Sequence, residues 1–131
     1  MVTDEPLDQT VLEALRRLQS EARPNFPSMI VGLFLDTAPS VLKELETAAL
    51  GGEVSALRAA NHRLLSGSAA VGAVRLSALC HDFELIGRTG VVPDAAERVR
   101  AIVAEYERVE AALRTWLTRN SEPGAPTPAR K

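Results

Sequence analysis

His62 lies in the stretch NHRLLSGSAAVGA, residues 61–73, surrounded by small side chains. A neutral imidazole nitrogen is a nucleophile near neutral pH, because an unperturbed histidine titrates at about 6.5, and it can also carry a proton or bind a metal. Spacing decides which neighbours share its face. At about 100° per residue, Leu57, Ala60, Leu64, Ser68 and Val71 collect on one side of a helix, the core side. His62 points the opposite way, among Ser55, Arg58, Ala59, Leu65, Ser66 and Ala69. A core histidine would sit with the leucines, and an ordinary solvated face would carry lysines and glutamates at i and i+4. Here long side chains are nearly absent, which leaves room for something large to approach the ring. Gly67 fits the same picture, since a glycine inside a helix costs about 1 kcal/mol against alanine. Close packing of the third and fourth helices near their shared turn accounts for it equally well.

Metal chemistry would have to use His62, His81, Cys80 and Glu84. The spacing disfavours it: Cys80 falls on a core stripe, His81 on another face, and the paired ExxH motifs of di-iron bundles are missing. No metal ligand is therefore assigned. Cys80 reads as a small core filler, His81 as a solvated polar residue, and Tyr106 and Trp116 as packing residues of the last helix.

The elements that must position His62 follow from apolar periodicity. A short amphipathic helix spans Leu7 to about Gln19, with Asp8 as its N-cap. A longer helix from about Pro27 carries Met29, Ile30, Leu33, Phe34, Val41, Leu42 and Leu45 on one side and ends at Gly51 and Gly52. The histidine helix runs from about Glu53 to Ala70, and Gly72 marks the turn into a fourth, Ala73 to about Arg88. That fourth helix has the stripe Leu76, Leu79, Cys80, Phe83 and Ile86. A fifth begins at the cap Asp94 and turns Val99, Ile102, Val103, Tyr106, Val109, Leu113, Trp116 and Leu117 inward. The fold class predicted is all-α: an up-and-down four-helix bundle with an additional short N-terminal helix across one end, residues 1–119. NSEPGAPTPARK, residues 120–131, reads as a disordered tail.

Composition agrees and narrows the function classes. The 131 residues make one domain, 46% hydrophobic but only 4% aromatic, which favours helices over a sheet. A net charge of -2 with scattered arginines offers no footprint for nucleic acid. One cysteine cannot make an internal disulfide, the opening MVTDEPLDQT lacks the basic-then-apolar order of a signal peptide, and no apolar run is long enough for membrane insertion. The expected location is cytoplasmic.

HRLLSGSAAVGA followed by RLSALCHDFELIGRTG resembles the histidine-containing phosphotransfer (HPt) domains of two-component phosphorelays, whose signature is approximately HxLKxxSxxxGA. His62, Leu64, Ser68, Gly72 and Ala73 fall on signature positions, and LFLDTAP is similar to the family's preceding helix. The resemblance spans roughly Leu7 to Leu117. It implies a phosphoprotein that relays a phosphoryl group between receiver-domain aspartates through His62 as phosphoacceptor, a carrier and not an ATP-dependent kinase. The chain has no P-loop or glycine-rich nucleotide lid. Implied partners are response-regulator receiver domains and a hybrid sensor histidine kinase. The domain would need no cofactor of its own, with Mg²⁺ held by the receiver, and would act as a monomer.

Two positions depart from the family pattern. Leu65 stands where the family has a phosphate-contacting lysine, and the only lysines here are Lys43 and Lys131. Arg58, four residues before His62, is the best replacement cation, with Ser66 as a second phosphate-environment candidate and Arg63 less well aimed. Asn61 replaces a common alanine and is expected to hydrogen-bond a neighbouring helix. The partner surface would comprise Leu65, Ser66, Ala69, Ala59 and Ser55. Loss of the lysine motivates an alternative, an HPt-like adaptor that binds a receiver or other signalling partner without phosphotransfer.

Overall fold

The computed structural model describes residues 5–19 and 23–120. Helices α1 (Gln9–Arg17), α2 (Phe26–Gly51), α3 (Val54–Ala70), α4 (Val74–Gly87) and α5 (Ala95–Asn120) follow one another, with no strand among the described residues. The Asp8 carboxylate caps α1, accepting from the Thr10 N–H at 2.9 Å. Pro27 sits in the first turn of α2, where its missing N–H costs nothing, and the helix continues through Pro39 to Gly51.

The two turns that flank the histidine helix are built alike. At Gly52 (φ 67°) the Glu53 N–H donates to the Ala48 carbonyl at 3.0 Å, and at Gly72 (φ 75°) the Ala73 N–H donates to the Ser68 carbonyl at 2.9 Å. Both are Schellman closures around a left-handed residue, a conformation glycine adopts without strain. Gly72 also fastens α1 to the bundle. Its carbonyl accepts from the Asp8 N–H at 2.7 Å, and a Cβ there would lie 2.9 Å from both the Asp8 carbonyl oxygen and Val11.

Short turns make neighbours antiparallel, so α2 packs on α3 and α5, and α4 packs on the same two, leaving α2 and α4 on a diagonal. The core they enclose is contiguous and includes Val31, Leu45, Leu57, Leu64, Leu76, Ile102, Val109 and Leu113. Phe34 and Tyr106 meet inside it with ring centroids 5.9 Å apart.

Three sequence expectations need correction. Met29 and Leu33, placed on the buried side of α2, are each 61% exposed, while Val31, Leu35 and Ala38 are buried. The early part of α2 is apolar nearly all round, so its wheel cannot choose a face, and packing against α3 and α5 makes the choice. On α4, Leu79 and Ile86 are only half-buried, and Gly87 joins Leu76, Cys80 and Phe83 inside. Asp94 begins α5 through its backbone: it is left-handed (φ 57°), and its carbonyl accepts from the Arg98 N–H at 3.0 Å. The expected tail lies outside the described residues apart from Asn120, which ends α5.

Candidate functional site

The Schellman turn at Gly72 folds α4 back along α3 and so brings His62 opposite Glu84. The His62 side chain is 68% exposed, and its Nδ1 lies 3.5 Å from Oε1 of Glu84, an ion-pair separation slightly longer than a direct hydrogen bond. That Oε1 is buried and has no hydrogen-bond partner among the described residues, so the imidazole edge is its nearest compensation. The other carboxylate oxygen faces Arg88 Nη2 at 3.8 Å. Glu84 thus stands between a histidine and an arginine, anchored by its half-buried place on α4.

An open depression surrounds this pair, lined by Arg58, Ala59, His62, Arg63 and Glu84. Arg58 reaches it across α4 at Gly87, where a Cβ would come within 3.1 Å of Arg58 Cγ and 3.3 Å of Cδ. Gly87 therefore gives the arginine its path. No ion pair engages Arg58 among the described residues, which leaves its guanidinium available to an anion. Arg63 is committed to Glu44 of α2. A nucleophilic imidazole, a carboxylate on its Nδ1 side and a free guanidinium on the rim suit a ring that takes up and releases an anionic group at Nε2.

The other expected site residues divide. Ser55, Ser66 and Ala69 are exposed on α3 as expected but do not line the depression, and only Ala59 joins it. Leu65 is not displayed beside His62 as the wheel suggested; it is half-buried and packs against the core. It stands about 60° from His62 on the side of Asn61, and Asn61 is itself buried. Gly67 provides neither clearance for a partner nor close packing of α3 on α4. It receives Phe34 of α2, whose Cδ1 would be 2.9 Å from an added Cβ.

Glu84 was missed as a partner of His62, having figured only in the metal set. The signal was present: folding the chain back at Gly72 sets His62, ten residues before the turn, against the C-terminal part of α4, where Glu84 borders the buried stripe. Cys80 is fully buried, with burial pushing its thiol up to about 12, and His81 is exposed. Among the described residues no three His, Cys, Asp or Glu side chains are grouped to hold a metal ion.

The family model for the Hpt domain matches residues 29–112, which include Arg58, His62 and Glu84. The chain belongs to the Hpt domain family. Its fold is similar to that of histidine-containing phosphotransfer protein B from Pseudomonas aeruginosa, with a TM-score of 0.78 and 25% identity over 89% of this chain and 98% of that one. The HPt domain of a sensor hybrid histidine kinase from Shewanella gives a TM-score of 0.76 at 18% identity, covering 90% of this chain and 98% of the other. A maize histidine-containing phosphotransfer protein gives 0.76 at 22%, covering 88% and 89%. No curated protein sequence matches. Family membership gives this Hpt domain a histidine phosphotransfer role in two-component signalling. No helix among the described residues is long and apolar enough to cross a membrane.

Proposed function

We propose that His62 accepts a phosphoryl group from the aspartate of one receiver domain and delivers it to another in a multistep phosphorelay, with this Hpt domain acting as a cytoplasmic monomer. The observation that carries the proposal is the exposed imidazole with Nδ1 against the Glu84 carboxylate. With the proton held on Nδ1, Nε2 keeps its lone pair on the far side of the ring. That lone pair attacks phosphorus, the acyl phosphate P–O bond breaks, and its electron pair returns to the receiver's carboxylate. The ring, still protonated at Nδ1, becomes cationic, and Glu84 stabilises that charge across 3.5 Å. Arg58 contacts the phosphoryl oxygens as they arrive. In this reading Mg²⁺ is held by the receiver domain, as the family resemblance implies. Every residue in this scheme comes from α3 and α4 of one chain, so a single copy suffices.

The test is incubation with a phosphorylated receiver domain. Acid-labile, base-stable label on the chain, absent in His62→Gln, is the expected result. Tight receiver binding without label would overturn the relay and leave the adaptor function that loss of the lysine suggests.

A further inference from the structure

Asn61 precedes His62 but faces the core, 1% exposed. Its Nδ2 donates to the Cys80 carbonyl of α4 at 2.8 Å. In an α-helix that same carbonyl accepts from the backbone N–H four residues on, which is Glu84. One oxygen therefore ties the residue before His62 to the residue whose carboxylate faces the imidazole. The amide is a poor choice as filler, because its Oδ1 is buried with no hydrogen-bond partner among the described residues. What it supplies is direction: a hydrogen bond constrains both the distance and the angle between two helices, whereas an apolar contact tolerates sliding. The margin at the site is narrow. At 3.5 Å the His62 and Glu84 side chains are near the outer limit of useful contact, and a slip of α3 along α4 by a fraction of one residue's 1.5 Å rise would separate them.

We propose that Asn61 is a positioning residue whose bond to the Cys80 carbonyl fixes the register of α3 on α4, and so holds Glu84 against Nδ1 of His62. The inference rests on the reading of His62 as phosphoacceptor, but it concerns the resting ring and is testable there. Asn61 touches no reacting atom. It acts through Glu84 to keep the proton on Nδ1 and Nε2 free.

The chain has two histidines, and the exposed His81 serves as an unbiased reference. ¹⁵N spectra of the imidazoles, recorded on the full chain where the rings are neutral, report which nitrogen carries the proton. In the parent, His62 should favour Nδ1–H relative to His81. Asn61→Ala and Glu84→Gln should each move the His62 resonances toward those of His81, and the double variant should move them no further than Glu84→Gln alone. Phosphorylation by phosphoramidate, which needs no receiver, should slow by roughly 3- to 10-fold in each single variant without adding in the double. An Asn61→Ala protein whose stability changes while its His62 spectrum matches the parent would reduce Asn61 to a structural role and overturn the proposal. A further readout needs no variant: the Asn61 side-chain amide protons should exchange far more slowly than those of exposed Asn25, and equal rates would also overturn it. If phosphoramidate leaves parent His62 unmodified, the phosphoacceptor reading fails, while the spectra still decide the role of Asn61.

Discussion

Leu65 stands where the resemblance places a lysine yet turns partly into the core, so under the proposed relay another residue has to supply the cation for the phosphoryl group. Arg58 meets the requirement: it lines the His62 depression and no ion pair holds it among the described residues. A hydrogen bond to a charged group contributes about 1.5–3 kcal/mol, and the exposed position favours the lower end. Arg58→Ala should therefore slow phosphoryl transfer from a phosphorylated receiver by roughly 10-fold, as read by single-turnover kinetics, with little change in stability. Leu65→Lys in that background should restore part of the rate, because a lysine can bury its stem where Leu65 packs and lift its ammonium to the rim. An unchanged Arg58→Ala rate would remove the arginine from the mechanism. His62 and Arg58 were legible in the sequence because helical period alone places them together. Glu84 needed the pairing of two helices, and Leu65 sits on the border between faces, where a wheel assigns position less well than packing does.

Among the elements, α3 and α5 were readable from periodicity, as were the glycine ends of α2 and α3, since each contrasts polar with apolar sides or turns on a residue with special backbone freedom. The early part of α2 lacks that contrast, and Met29 and Leu33 went to the wrong side for that reason. Two helical glycines, by contrast, separate cleanly once their neighbours are known. At Gly67 an added Cβ meets Phe34, which is 5% exposed and held against Tyr106, so the ring cannot move away freely. Overpacking of this kind costs about 1–3 kcal/mol, against about 1 kcal/mol gained in helix propensity. Gly67→Ala should be destabilised in urea melts, and less so with Phe34→Leu beside it. At Gly87 the obstructing atoms belong to the flexible stem of Arg58. Gly87→Ala should keep or improve its urea midpoint yet lose phosphotransfer rate as Arg58→Ala does. A Gly87→Ala protein with the parent's rate would mean that the path of Arg58 across α4 is not needed.

For the whole molecule, one contiguous core ties stability to the protonation of groups it shields from solvent. Burial pushes the Cys80 thiol up from 9.0 to about 12, and burial, with a smaller contribution from Glu110, raises the Tyr106 phenol above its ordinary 10 while Arg114 opposes the rise. Both groups are neutral when protonated, so a raised value means that the folded chain holds its proton where the unfolded chain has released it. Their stabilising effect is complete below the unfolded value and is lost as pH climbs toward the folded one. Unfolding free energy should therefore begin to fall near pH 9 through Cys80 and fall more steeply above 10 as Tyr106 adds its share. Each fully responding group contributes about 1.4 kcal/mol per pH unit, so Cys80 alone should remove about 2 kcal/mol between pH 9 and 10.5. Urea midpoints followed by helix signal across this range measure the slope. Cys80→Ala should flatten the fall between 9 and 10, and adding Tyr106→Phe should flatten the remainder; the phenol oxygen of Tyr106 has no hydrogen-bond partner among the described residues, so its removal leaves no donor or acceptor stranded. A Cys80→Ala protein that loses stability over pH 9 to 10 as steeply as the parent would show that the thiol opens to solvent before the bundle unfolds, and that the core is less cooperative than its packing implies.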